Sequence, residues 1–169
     1  MDKENETELE IIGSTEYIEV ADIKDIPAKI DTGADSSAIW ASNISMDQDG
    51  ILSFTLFDEI SPFYTGERLH SSEYAARVVR SSHGDEQIRY RVPLSIKIGQ
   101  KSFTTNFTLA NRSRNSFPVL IGRHTLSGHY LVDVSKSVVE RRRSPKSSSL
   151  NQELKENPYA FHQKYHYND

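Results

Sequence analysis

The chain contains no cysteine. That single absence removes disulfides, thiolate nucleophiles and cysteine-ligated zinc together. No stretch comes near the ~20 apolar residues that a membrane-spanning helix needs. A hydrophobic share of 36% in 169 residues and a mean hydropathy of −0.59 describe one soluble domain with polar ends. Neither H-E-x-x-H nor G-x-x-x-x-G-K-[ST] occurs, so the usual zinc and nucleotide-phosphate motifs are missing. The net charge of −4 gives no general attraction to nucleic acid. The opening MDKENETELE is acidic and lacks an apolar signal core. The expectation is a cytoplasmic protein with neither membrane nor nucleic acid as partner.

What the chain does have is period-2 alternation. In IRYRVPLSIKI every even position from Ile88 to Ile98 is apolar and most odd ones are polar, the pattern of a half-buried strand. Pro93 falls on the outward face, which suits an edge or flap strand. FTTNFTL (Phe103, Thr105, Phe107, Leu109) and LSFTLF (Leu52, Phe54, Leu56) repeat the pattern. Turn signals at DQDG, SHGD and IGQK separate the runs, so a small all-β sandwich or barrel is expected. Only RHTLSG reads as a short helix in this core, with Gly128 placed to end it. Residues 1–10 read as a disordered lead-in and 11–140 as the folded domain. From Arg141 the basic, serine-rich RRRSPKSSSL opens a polar tail over 141–169, in which NQELKENPYAFHQKYHYND could form a weak helix or dock as a tail, with Pro158 interrupting it. No internal repeat is visible.

One acid stands out. In AKIDTGADSSAIW, residues 28–40, Asp31 follows an apolar strand-like run and precedes Thr32 and Gly33. A turn aspartate capping its own backbone is the plain reading. Against it stands a distant counterpart, FPVLIGRHTL at 117–126, where apolar residues run into Gly122, Arg123 and the short helix.

D-T-G-A-D followed far downstream by an apolar–apolar–Gly-Arg segment resembles the retropepsin family of aspartic proteases. KIDTGADSSAI, VVRSSHGDEQIRYRV, FTLANRSRNSFPVLIGR and GHYLVD resemble more closely a bacterial retropepsin-like group that bears the inherited name "ATP-dependent zinc protease". The likeness covers residues 12–139 and implies a closed barrel, one lobe per chain. Its activity would be that of an aspartic endopeptidase without metal or nucleotide. Two carboxylates must share one proton in that chemistry, one activating water while the other polarises the scissile carbonyl. The chain holds one D-T-G, so the resemblance implies a homodimer with one Asp31 from each subunit.

The same likeness distributes the remaining roles. Thr32 would tie the two active-site loops together, and Gly33 would let its N–H approach the carboxylate. Ala34 would keep the cleft open. Asp35 would pair with Arg123 beneath the loops, with Gly122 beside it as structural support. The flap over the substrate would be the hairpin whose tip is SSHGDE, with His83, Gly84 and Asp85 near the peptide. The loop 111–117 would line the cleft. Departures accompany the match: a surplus lies within 43–73, including DEISPFYTGERLHSSEY, and the flap tip carries one glycine and polar His83 and Asp85. A retropepsin-fold module that binds peptide or dimerises without cutting is the alternative. Ser36 and Ser37 lack a G-x-S-x-G context. His162 and His166, four apart, could face one metal, but their polar, proline-interrupted segment favours a solvated role.

Overall fold

The computed structural model describes residues 8–80, 84–140 and 145–166. The chain divides into two compact units, residues 1–139 and 140–169. In the first the elements are β1 (Glu10–Gly13), β2 (Thr15–Val20), β3 (Ile23–Ile30), β4 (Ser37–Met46), β5 (Leu52–Leu56), β6 (Arg68–Ser71), β7 (Ala75–Arg80), β8 (Glu86–Ile98), β9 (Lys101–Ala110), β10 (Val119–Ile121), α1 (Arg123–Leu126) and β11 (Tyr130–Asp133). β10, β3, β2, β8, β9 and β4 are hydrogen-bonded in that order, and β4 returns to β10. The result is a closed six-stranded barrel, as the alternation and the resemblance lead one to expect. β3 with β10 and β4 with β9 run parallel. Inward residues of these strands, among them Ile26, Ile39, Val92, Ile98, Phe107 and Ile121, have no exposed surface.

Alternation explains most of the strands, and Pro93 shows where it misleads. β8 is a central strand rather than an edge. It pairs with β9 through Arg91–Ile98, with β7 through Glu86–Arg91 and with β2 near Ile96 and Lys97. β7 stops pairing at Arg91 and the first bond on the β2 side is Ala21 N–H to the Ser95 carbonyl, 3.0 Å. Pro93 occupies the gap, where its missing N–H costs no ladder bond.

The surplus within 43–73 builds an arm. The second half of β4 pairs with β5, and β5 with β6. The turn after β5 sends Phe57 into the core at a φ of 63°, fully buried. Its ring meets Trp40 edge-on at 6.3 Å and Phe63 at 5.7 Å. The insertion thus enlarges the hydrophobic core instead of decorating it.

β1 pairs in parallel with β11. Glu10, assigned to the lead-in by composition, opens β1, and its carboxylate accepts the Gln100 N–H at 3.1 Å. Tyr130 is 6% exposed and donates its hydroxyl to the Ile98 carbonyl at 2.9 Å. Burial, with the Glu10 charge adding to it, pushes the Tyr130 phenol up to about 12. The folded state therefore holds this proton more tightly than the unfolded chain, whose tyrosines titrate near 10. Stability from this group is intact below pH ~10 and is lost as pH rises toward ~12, by roughly 2–3 kcal/mol. Urea unfolding from pH 8 upward is expected to show that alkaline loss in the native protein and a correspondingly smaller one in Tyr130→Phe.

The second unit, expected as a polar tail, contains α2 (Pro145–Glu156) and α3 (Pro158–His166). Pro158 opens the second helix, a position where its missing N–H is harmless, and Asn157 Oδ1 caps it through the Ala160 N–H at 3.0 Å. Glu153 joins the two helices by accepting from Lys164 Nζ at 2.7 Å and Tyr165 Oη at 3.1 Å. No described helix is long and apolar enough to cross a membrane.

Candidate active site

The site begins where β3 ends. Asp31 N–H donates to the Ile121 carbonyl at 2.8 Å, extending the parallel β3–β10 ladder by one bond. The chain then turns through Thr32 and Gly33, closed by Ala34 N–H to the Asp31 carbonyl at 3.2 Å. Gly33 N–H donates to Asp31 Oδ1 at 3.0 Å. A Cβ on Gly33 would stand 3.3 Å from that same oxygen, so a side chain there would push against the carboxylate. Asp31 Oδ2 faces Lys29 Nζ at 3.6 Å, and the Asp31 side chain keeps 27% of its surface exposed. Thr32 is exposed at the apex of the turn and Ala34 is half-buried.

The Gly-Arg segment lies directly against this turn. Arg123 N–H donates to the Ala34 carbonyl at 2.7 Å and His124 N–H to the Asp35 carbonyl at 3.1 Å. The Arg123 guanidinium forms an ion pair with the Asp35 carboxylate. The pair was expected beneath the loops. Its side chains are instead 54% and 69% exposed, so it contributes at most ~1 kcal/mol. Gly122 has an ordinary φ of −95°, and its constraint is space. A Cβ there would sit 2.6 Å from the Ser36 carbonyl and 2.9 Å from the Ala34 oxygen.

Below the turn runs a hydroxyl chain that the sequence reading missed. Gly122 N–H donates to Ser37 Oγ at 3.0 Å, Ser37 Oγ bonds Thr125 Oγ1 at 2.6 Å, and Thr125 Oγ1 bonds Thr105 Oγ1 at 3.0 Å. Ser37 has no exposed surface and Thr125 has 2%. This chain fastens β4, β9, β10 and α1 under Asp31, each buried hydroxyl finding its partner. The readable signal was hydroxyl residues at inward positions of alternating strands.

Two cations near Asp31 also escaped notice. Lys29 sits two positions before the acid, so period 2 alone puts it on the same face. Arg112, in the 111–117 loop, is half-buried, and its Nε donates to the Phe117 carbonyl at 3.1 Å. Burial and the Arg89 charge lower the proton affinity of Arg112, while the Asp31 carboxylate works in the opposite direction. A lone carboxylate bordered by these cations is a poor donor set for zinc. Among the described residues no three His, Cys, Asp or Glu side chains converge.

The expected flap is a real hairpin. β7 and β8 pair from Ala75↔Arg91 to Arg80↔Glu86, and Gly84, at a φ of 87°, lies in their connection with Asp85, both exposed. On one face of this hairpin Val78 and Ile88 stand opposite each other, 62% and 80% exposed. His83 lies outside the described residues.

Two curated relatives, from Shewanella pealeana and Desulfotalea psychrophila, both named probable alpha-L-glutamate ligase, are 30% identical over 136 residues and 29% over 129. These matches take in 75% and 73% of this chain but 29% and 28% of theirs; the chain spans less than a third of their length. A crystal structure of a Legionella pneumophila protein of unknown function is 29% identical, with a TM-score of 0.58, covering 76% of this chain and 95% of that one. The family described as "Retropepsin-like aspartic endopeptidase RimB" matches residues 11–143. The barrel, the D-T-G turn and the Gly-Arg segment all fall inside that match, and the chain belongs to this RimB-like, retropepsin-like family.

Proposed function

We propose that the protein is a homodimeric aspartic endopeptidase. The observation that carries this reading is the Asp31 turn. Oδ1 is held by the Gly33 N–H while Oδ2 faces Lys29 Nζ at 3.6 Å, the side chain keeps 27% of its surface exposed, and the chain supplies no second D-T-G. Two copies brought together across a twofold axis would make a pair of acids that share one proton. One carboxylate takes a proton from the bound water. The other, protonated, donates to the scissile carbonyl oxygen, and the tetrahedral intermediate collapses as the leaving nitrogen is protonated. No covalent enzyme intermediate forms. Thr32, exposed at the apex, bonds across the pair of loops in this reading, and the β7–β8 hairpin, with Val78 and Ile88 on its open face, covers the peptide.

Lys29 and Arg112 favour acidic side chains in the subsites beside the dyad. The relatives named for glutamate ligation fit a substrate that bears glutamate, its added peptide bond being what a hydrolase would remove. A cysteine-free chain suits the cytoplasm. A second reading, peptide binding or dimerisation without cleavage, draws on the Lys29–Asp31 contact, which gives the acid a cationic partner within one protomer.

Subunit mixing separates the two. Native and Asp31→Asn protein are unfolded and refolded together at constant total concentration and increasing Asp31→Asn fraction, and cleavage of a mixed peptide library is followed. A shared dyad makes activity fall as the square of the native fraction, to about a quarter at equal mixing. A linear fall, to about half, would mean that each chain cuts alone, and no cleavage by the unmixed native protein would leave the binding module.

A further inference from the structure

Pro158 is the sequence's objection to a shared role for His162 and His166. In the folded second unit it opens α3 instead of breaking it, and Pro158–His166 runs as one helix. Residues four apart on a helix stand one turn above the other on the same face. The two imidazole rings accordingly lie side by side, 5.5 Å between centres and 20° from parallel. Nothing in the proposed peptide chemistry uses them.

That spacing is too wide for the close face-to-face contact that His129 makes with Phe103, at 4.2 Å and 7°. It does match chelation. With Zn–N bonds of about 2.0–2.1 Å, two imidazoles on one tetrahedral ion hold their ring centres roughly 5 Å apart. The same i, i+4 placement supplies the histidine pair of helical zinc sites. Both side chains are exposed, so an ion keeps water in its remaining positions and sheds little of its hydration. The pair occupies the last turns of α3, where the negative end of the helix dipole favours a cation. Lys164 lies about half a turn round the helix from the pair and is held by Glu153 of α2 at 2.7 Å, which also takes the Tyr165 hydroxyl at 3.1 Å. His70 and His129 are engaged elsewhere, the first with Ser53 Oγ at 2.8 Å and the second on Phe103.

We propose that His162 and His166 together chelate one divalent transition-metal ion of the copper and zinc class, with water completing its coordination. Imidazole nitrogen suits Cu²⁺ and Zn²⁺, whereas Mg²⁺ and Ca²⁺ take oxygen ligands. No closed cage imposes a geometry here, so affinity follows the general order, with Cu²⁺ above Zn²⁺. The ion ties two successive turns of α3, and ion and helix stabilise one another. The site uses no residue of the Asp31 turn, and it stands whether or not the protein cuts peptides.

The test is calorimetric titration of the full, untagged, metal-stripped chain with ZnCl₂, CuCl₂ and MgCl₂ in turn at neutral pH. Zn²⁺ and Cu²⁺ are each expected to bind at this site, Cu²⁺ the more tightly, and Mg²⁺ to give no heat. His162→Gln and His166→Gln should each weaken Zn²⁺ binding at least ~10-fold, because the second imidazole acts as a tethered ligand. The double variant should lose little more than either single one, since removing one ring already ends chelation. His124→Gln should match the parent. Both rings are exposed, so the metal-free variants are expected to melt with the parent; if one does not, the other carries the comparison. Parent-like Zn²⁺ affinity in the glutamine variants overturns the proposal. So do losses in the two single variants that simply add, which would mean independent imidazoles, and a Mg²⁺ response equal to that of Zn²⁺, which would mean carboxylates.

Discussion

Asp31→Asn is expected to lower kcat/KM for peptide cleavage by ~10³-fold or more, equivalent to about 4 kcal/mol of lost transition-state stabilisation. Asparagine matches the carboxylate in shape, and the Gly33 N–H keeps an oxygen to donate to. What disappears is the proton acceptor, and with it the pair able to hold one proton between two acids. The fold should be almost indifferent. Asp31 keeps part of its surface in water and its cation partner Lys29 is 45% exposed, so the lost ion pair contributes no more than ~1 kcal/mol. The informative result is that contrast: cleavage across pH 4–7 abolished, urea midpoint nearly unchanged. Equal cleavage by both proteins would remove Asp31 from the chemistry altogether.

Gly122→Ala should show the opposite profile. Its backbone angle suits alanine, yet the new methyl would stand 2.6 Å from both the carbon and the oxygen of the Ser36 carbonyl. Those atoms are main chain and cannot rotate aside. Either β10 or the Ala34–Ser36 turn must move, and the Arg123 N–H to Ala34 and His124 N–H to Asp35 bonds stretch with it. Overpacking against backbone, with these bonds and the buried Gly122 N–H to Ser37 Oγ bond disturbed, is expected to cost roughly 3 kcal/mol or more. Activity should fall too, because the displaced turn is the one that carries Asp31. A urea midpoint equal to that of the native protein would show that the turn and β10 do not abut as described.

The sequence made the barrel legible because period 2 survives in its strands, and it made Asp31, Gly33, Gly122 and Arg123 legible because spacing around a glycine is a local signal. What escaped it depends on neighbours distant in the chain. Pro93 looked like an edge marker, since nothing local shows that β7 and β2 share β8 and leave a gap at the proline. Ser37, Thr105 and Thr125 looked like ordinary polar residues until three elements brought their hydroxyls together. Lys29 was within reach of the alternation argument, whereas Arg112 sits in a loop with no periodicity to place it. In the tail a weak helix was one of two readings, and Pro158 left its extent open: a proline that interrupts one helix can equally begin the next, and the Glu153–Lys164 contact joins the resulting pair.

The ring of strands has one further consequence, for how the chain acquires its shape. Its last segment, Val119–Ile121, is wedged between Ala28–Ile30 and Ala38–Ile39, partners that precede it by about half of the chain. Folding must therefore bring sequence-distant pieces together before closure is rewarded, the hallmark of slow, topology-limited assembly. During synthesis the early strands wait with two unsatisfied flanks until residue 121 has cleared the ribosome, and that interval is when self-association threatens most.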